Sequence, residues 1–125
     1  MTPLEMLREF HSAFGLDMAD SPTLVGPELA KLRQDLLDEE VTELRDAVAN
    51  DDIIEIADAL ADIIYIAAGT AVVHGIPLDE VLEEVHSSNM AKLVDGKPLY
   101  HPNGKVKKPD NWQAPDIAAI LGNNV

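Results

Sequence analysis

Between Ile53 and Ala68 the chain is apolar on nearly every side, with Glu55, Asp58 and Asp62 as its only acidic residues. A helix of that kind has to be enclosed by other helices. At about 100° per residue its three acids fall on one stripe about 60° wide. Three carboxylates on one face of a helix expected to be buried and central need a partner, and that need constrains what can pack beside it more than any other feature of the sequence.

The flanking sequence supplies neighbours. Thr2-Pro3-Leu4-Glu5 reads as an N-cap, a proline at the first helical position and a capping-box glutamate, and Gly15 is a stop, so a first helix spans about 3–14. Asp20-Ser21-Pro22 and Gly26-Pro27 break the chain before a second helix from Glu28 to Ala49. Asn50-Asp51-Asp52 forms a tight turn, and Asp51 or Asp52 caps the third helix, which runs to about His74 and ends at Gly75. Pro77 opens a fourth helix reaching about Leu93. From about residue 94, Gly96, Pro98, Pro102-Asn103-Gly104, Pro109 and Pro115 interrupt the chain too often for a long helix; Asn103-Gly104 suits a hairpin turn, and a last helical turn or two fits Asp116 to Leu121. Short connections make neighbouring helices antiparallel. The fold class is therefore all-α: an antiparallel four-helix bundle-like subunit with a Pro/Gly-interrupted C-terminal tail, the whole of 1–125 forming one domain.

The second helix turns acids toward the third. Leu36, Leu37, Val41, Leu44, Ala47 and Val48 share an arc about 140° wide; Glu40 falls inside it, Glu43 about 20° outside and Glu39 about 60° outside. A hairpin about Asn50 brings Glu43 level with Asp58 and Glu40 level with Asp62. Carboxylates gathered this way repel and do not all stay ionised when partly buried unless cations neutralise them, and Arg45 is the one base between Asp35 and Asp62, against eleven acids. All-oxygen carboxylate ligands suit a hard cation, so the pattern points to Mg²⁺ between helices two and three, with Mn²⁺ as a substitute.

Composition removes several classes. The net charge of −14 argues against a nucleic-acid partner. No cysteine is present, so disulfide and thiolate chemistry are out. The N-terminus carries charges and no long apolar run, so a cytoplasmic protein without a membrane association is expected. There is no Gly-x-x-x-x-Gly-Lys loop and no serine elbow. Glu83-x-x-His86 has the spacing of a di-iron bundle but occurs once, where that chemistry needs it twice.

Glu39-Glu40-Val41-Thr42-Glu43, followed by Glu55-Ile56-Ala57-Asp58, resembles the paired Glu-Glu-x-x-Glu and Glu-x-x-Asp motifs of the MazG-like all-α nucleotide pyrophosphohydrolases. That superfamily also contains the dimeric dUTPases and the phosphoribosyl-ATP pyrophosphohydrolases. Its downstream Asn-x-x-Lys element is matched by Asn89-Met90-Ala91-Lys92, and the similarity runs from about Phe10 to Trp112. In one respect the chain departs from the pattern: Glu55 with Asp58 satisfies the second motif literally, while the flanking residues point to Asp62, three positions after Ala59. The ligand set on helix three is open between them. The resemblance implies Mg²⁺-dependent hydrolysis of nucleoside triphosphates, with a lean toward deoxynucleotides such as dUTP, to the monophosphate and pyrophosphate, in housecleaning of nucleotide pools. It implies Glu40, Glu43, Asp58 and Asp62 as metal ligands, with Glu55 in reserve, and Glu39 or Glu40 as the group that orients or deprotonates the attacking water.

Phosphates not covered by metal need bases. Lys92 with Asn89 comes first from the resemblance; Lys31, Arg33, Lys105, Lys107 and Lys108 follow, and Trp112 is placed to lie against a base or the protein body. For Phe10, His11 and Phe14 a core aromatic and a surface histidine are expected ahead of a base pocket, and for Tyr65 a core role. Three short neighbours cannot cover the third helix within one subunit, so a homodimer or dimer of dimers, paired around the acidic clefts, is expected. The competing classes are a non-catalytic acidic helical module that binds Mg²⁺ or nucleotide or mimics DNA charge, and a helical interaction protein with structural acids; a DNA mimic would carry its acids outward, and the interaction protein would show no dependence on divalent cations.

Overall fold

The computed structural model describes residues 1–122 and shows an all-α protein in two compact units, one comprising Met1–Leu78 and the other beginning at Asp79. The first unit holds α1 (Pro3–Phe14), α2 (Pro27–Ala49) and α3 (Ile53–His74). The Thr2 hydroxyl accepts from the Glu5 amide at the start of α1, and Gly15 closes it in the left-handed conformation. Of the two cap candidates before α3, Asp52 does the capping: its carboxylate accepts from the amides of Ile54 and Glu55, while Asp51 takes the positive-φ position of the turn (φ 51°). The α2–α3 turn is thereby fixed on both sides, which sets the register of the hairpin.

The core sits where α1 meets the C-terminal half of α3. Leu7, Ala68 and Val72 are its centre, with Leu4, Tyr65 and Leu78 packed around them. As expected for a single subunit, its neighbours leave part of α3 uncovered, and its burial is concentrated in that half. Ala68, Gly69, Ala71, Val72 and Val73 are buried, but Ile53 and Ile54 are 75% and 76% exposed, and Leu60 and Ile64 are also open. The reason is length, since α1 has 12 residues against 22 in α3. By length and composition α3 is apolar enough to cross a bilayer, a test that the core helix of a water-soluble bundle also passes.

Arg33 binds the hairpin together. Its guanidinium, 9% exposed, donates from Nε to the Thr70 hydroxyl (3.1 Å) and from Nη2 to the Ile66 carbonyl (2.8 Å). Burial lowers the pKa of the group. A Cβ on Gly69 would collide with this guanidinium and press on the ring of His11, so glycine at that position is what lets all three helices meet. His11 is 2% exposed, with Nδ1 2.9 Å from the Asp17 carbonyl. The expected surface histidine is a buried one, because Gly69 opens a space on α3 that its ring occupies.

The second unit contains α4 (Leu78–Met90, shared at its first residue with the first unit), β1 (Leu99–Tyr100), β2 (Val106–Lys107) and α5 (Ile117–Leu121). α4 ends at Met90, three residues before the expected Leu93, because the Lys92 and Leu93 amides bond to carbonyls three residues back and the chain then reverses through Asp95 and Gly96, both at positive φ. The strands pair antiparallel, Leu99 opposite Lys107 and Tyr100 opposite Val106, around the Asn103-Gly104 turn expected from sequence. Asn103 Oδ1 accepts from the Lys105 amide and Gly104 sits at φ 85°.

Gly75 ends α3 in the left-handed region (φ 67°), and a Cβ there would run into the backbone of Ser21, whose loop is anchored by bonds from the Ala19 and Thr23 amides to the Val72 and His74 carbonyls. Gly75→Ala is expected to destabilise the protein by about 1–3 kcal/mol through combined backbone strain and collision. Chemical denaturation measures it; an unchanged midpoint would show that the loop docks less tightly than described.

Candidate active site

Hairpin register places the acids. Glu40 and Glu43, one turn apart on α2, meet Asp62 from α3, and one ligand oxygen from each lies within 4.8 Å of the others. Glu40 and Asp62 are half-buried and Glu43 is exposed. Glu40 Oε2 is buried with no hydrogen-bond partner. Asp58 stands beside Asp62, close enough for its charge to act on it, and also lines an open cavity of about 460 Å³ with Glu43, Asp46, Asp52 and Glu55. Of the two helix-three alternatives, Asp62 is the one in the tight group, with Asp58 adjoining and Glu55 on the cavity wall. Glu39 is exposed and lines a shallower depression with Asp38, Thr42 and Glu43. Neither Asp46 nor Asp52, which the sequence offers only as a helix cap, is a sequence-based candidate for the site, although folding the chain about Asn50 puts both beside the other acids.

The electrostatics follow from crowding. Glu40 is pushed up to about 7, chiefly by the hydrogen bond it shares with Glu43, then by loss of solvent and by the charges of Glu43 and Asp62. Asp62 is raised too, mainly by burial and then by the charges of Asp58 and Glu43. Protons therefore hold the group together when no cation does. The donor set is all oxygen, which fits Mg²⁺ or Mn²⁺; oxygens around one such ion lie about 3–4 Å apart, so small side-chain rotations would close the 4.8 Å group on it. The lone Oε2 of Glu40 is an acceptor awaiting such a partner.

A sequence model of the phosphoribosyl-ATP pyrophosphohydrolase family matches residues 7–89. The chain belongs to that family. It is thus a member of the MazG-like all-α superfamily and, at family level, a pyrophosphohydrolase acting on a nucleotide phosphoanhydride. No individually curated protein matches the chain by sequence. The family works with a divalent metal, for which the Glu40, Glu43 and Asp62 group is suited by its donor chemistry. The match takes in α1, α2, α3 and α4 up to Asn89, and leaves the tail outside.

The residues nominated for phosphate contacts are distributed differently. Arg33 is hydrogen-bonded inside the fold to Ile66 and Thr70 and lines a cavity of about 290 Å³ with Leu37 and His74. Lys31, exposed, is ion-paired with Asp35 at 2.6 Å, and its pKa is raised by that bond and charge. In the second unit Lys92 Nζ donates to Asn89 Oδ1 (2.8 Å), and both Lys92 and Lys108 lie over the ring of Trp112. Lys105 and Lys107 are exposed on the hairpin. Phe10 packs against Phe14 and, edge to face, against Tyr65, with ring centroids 4.5 and 5.7 Å apart; the three line a cavity of about 290 Å³ with Met6.

A carboxyl group whose folded pKa is raised stabilises the fold fully below its unfolded value, near 4.5, and that contribution is lost as pH rises through about 7. Asp62 acts in the same direction. In EDTA the melting temperature is expected to fall between pH 5 and pH 8. Glu40→Gln should flatten the fall and melt higher than the parent at pH 8, while Mg²⁺ should restore the parent and help the variant less. A flat parental profile would contradict the crowding described.

Proposed function

We propose that this family member hydrolyses nucleoside or deoxynucleoside triphosphates, in a Mg²⁺-dependent reaction, to the monophosphate and pyrophosphate, as a cytoplasmic housecleaning enzyme of nucleotide pools. The observation that carries the proposal is the group of Glu40, Glu43 and Asp62, with its buried, unpartnered Glu40 oxygen. Glu40, Glu43, Asp58 and Asp62 would hold a magnesium ion, with Glu55 available beside them, and the ion would supply charge neutralisation on the phosphates and acidify the attacking water. Glu39 or Glu40 would orient that water and take its proton. Attack at the α-phosphorus breaks the α–β anhydride bond and releases pyrophosphate. Asn89 and Lys92 are proposed substrate contacts on the strength of the Asn-x-x-Lys resemblance, the whole chain from 1 to 125 serving one activity.

The family description supports a second substrate. Phosphoribosyl-ATP, the substrate in the family's description, carries the same α–β anhydride, and the same carboxylate group would serve its hydrolysis. A panel of canonical and modified NTPs and dNTPs together with phosphoribosyl-ATP, with and without Mg²⁺ and with products resolved by anion exchange, separates the two. Mg²⁺-dependent release of pyrophosphate is expected from at least one triphosphate, with kcat/KM at least about 100-fold lower in Glu43→Gln. Turnover confined to phosphoribosyl-ATP would replace the housecleaning reading, and no turnover with either Mg²⁺ or Mn²⁺ would bring forward a non-catalytic acidic module.

We further propose a homodimer or dimer of dimers. Ile53, Ala57, Leu60 and Ile64 recur at intervals of four, three and four on the side of α3 away from the acids, and all four are exposed. That spacing suits the seam of a helix pair, which would join subunits on the side opposite the acidic clefts and not around them. Light scattering at micromolar concentration should give at least twice the 13.6 kDa chain mass, and Leu60→Glu should lower it. A monomeric parent protein would sink the assembly.

A further inference from the structure

The bonds that tie Arg33 to α3 leave its charge without a counter-ion. The guanidinium is 9% exposed and donates to a hydroxyl and a carbonyl, both neutral, and its Nη1 has no hydrogen-bond partner among the described residues. Among those residues the ion pair is Lys31 with Asp35, so no carboxylate faces Arg33 in a chain with 23 acids. Neutral partners offset only part of what enclosing a charge costs. Nor can the group shed the charge: burial lowers its pKa, but from a starting point too high for the proton to be lost near neutrality.

The cavity of about 290 Å³ beside this guanidinium has room for the missing anion. Ala30 and Leu37 from α2 and Ala67, Thr70 and His74 from α3 wall it together with Arg33, all within the first unit, and none of its lining residues is acidic. Two of its polar groups are already engaged. The Thr70 hydroxyl donates to the Ile66 carbonyl (3.1 Å), and His74 donates from Nδ1 to the Thr70 carbonyl (2.8 Å). Arg33 is therefore the charged donor left to a ligand, and Ala30, Leu37 and Ala67 make the wall around it apolar. The place is distinct from the acidic cleft, because Arg33 precedes Glu40 by two turns, about 10 Å along α2, and the two cavities share no lining residue.

The walls select the ligand. A planar guanidinium presents paired N–H donors that match the two oxygens of a carboxylate, and one negative charge cancels one positive charge. A phosphate dianion would bring a second charge against alanine and leucine, with no cation there to meet it. We propose that this cavity is a binding site for a small monocarboxylate with a short aliphatic chain, its carboxylate on Arg33 and its chain against Ala30, Leu37 and Ala67. The site is independent of the phosphoanhydride chemistry and stands or falls without it.

The test is a titration of the full chain with sodium butyrate, sodium acetate and inorganic phosphate at constant pH and ionic strength, following the Thr70 methyl resonance. Butyrate is expected to shift it saturably, with a midpoint about tenfold below that of acetate for its two extra methylenes, while phosphate produces no saturable shift. Arg33→Met should abolish the butyrate response, but it also removes two bonds of the fold. Ala67→Leu decides the matter separately, since Ala67 is exposed and the larger side chain fills the cavity while leaving the guanidinium its partners. Its butyrate midpoint is expected to rise about fivefold or more as the chain loses its apolar wall space. A butyrate shift that never saturates, or an Ala67→Leu midpoint equal to the parent's, overturns the site. Equal midpoints for butyrate and acetate, or saturable binding of phosphate, overturns the assignment to an aliphatic carboxylate.

Discussion

Three carboxylates held closer together than their charges favour set the terms for the rest of the first unit. Glu40, Glu43 and Asp62 come together because α2 and α3 form one hairpin whose apolar faces must meet, and the acids ride on the edges of those faces. Hydrophobic burial drives the meeting, and electrostatic repulsion opposes it. The result is a cleft in which protons are held at a pH where isolated carboxylates have lost them. A divalent cation supplies the same neutralisation without a proton, which makes the strain in the metal-free protein and its suitability for metal two aspects of one arrangement.

The opposing requirement is rigidity, since repelling groups splay apart unless the frame resists. Asp52 fixes one end of the hairpin by capping α3, and Arg33 fixes the other by bonding across to Ile66 and Thr70. Burying a guanidinium without a carboxylate costs several kcal/mol when it is left unpaired; here a carbonyl and a hydroxyl offset part of that cost. The absence of a side chain at Gly69 admits both the guanidinium and His11. A glycine in mid-helix, unfavourable by propensity alone, thus becomes the point at which α1, α2 and α3 lock.

Much of this was legible in the sequence because it depends on local rules. Thr2, Pro3 and Gly15 bound α1, Asn103-Gly104 makes the hairpin, and the acid stripe on α3 follows from helical periodicity alone. What depends on packing was less legible. Periodicity puts Asp58 and Asp62 on the same stripe, and only the packed hairpin brings Asp62 into the group with Glu40 and Glu43. Likewise, composition makes α3 apolar all round but does not say that a 12-residue α1 covers only one half of it. His11 misled for the same reason: a titratable side chain reads as solvent-facing until a glycine on another helix is seen to make room for it.

The charge distribution gives the chain two chemically opposite parts. Cation-seeking oxygens occupy α2 and α3, and anion-seeking ammoniums occupy the end of α4 and the tail. A nucleotide's phosphates travel with a divalent ion, so carboxylates whose oxygens suit such an ion bear directly on the phosphoanhydride chemistry of the family; the family match covers them and stops at Asn89, and the lysines from Lys92 onward lie outside it.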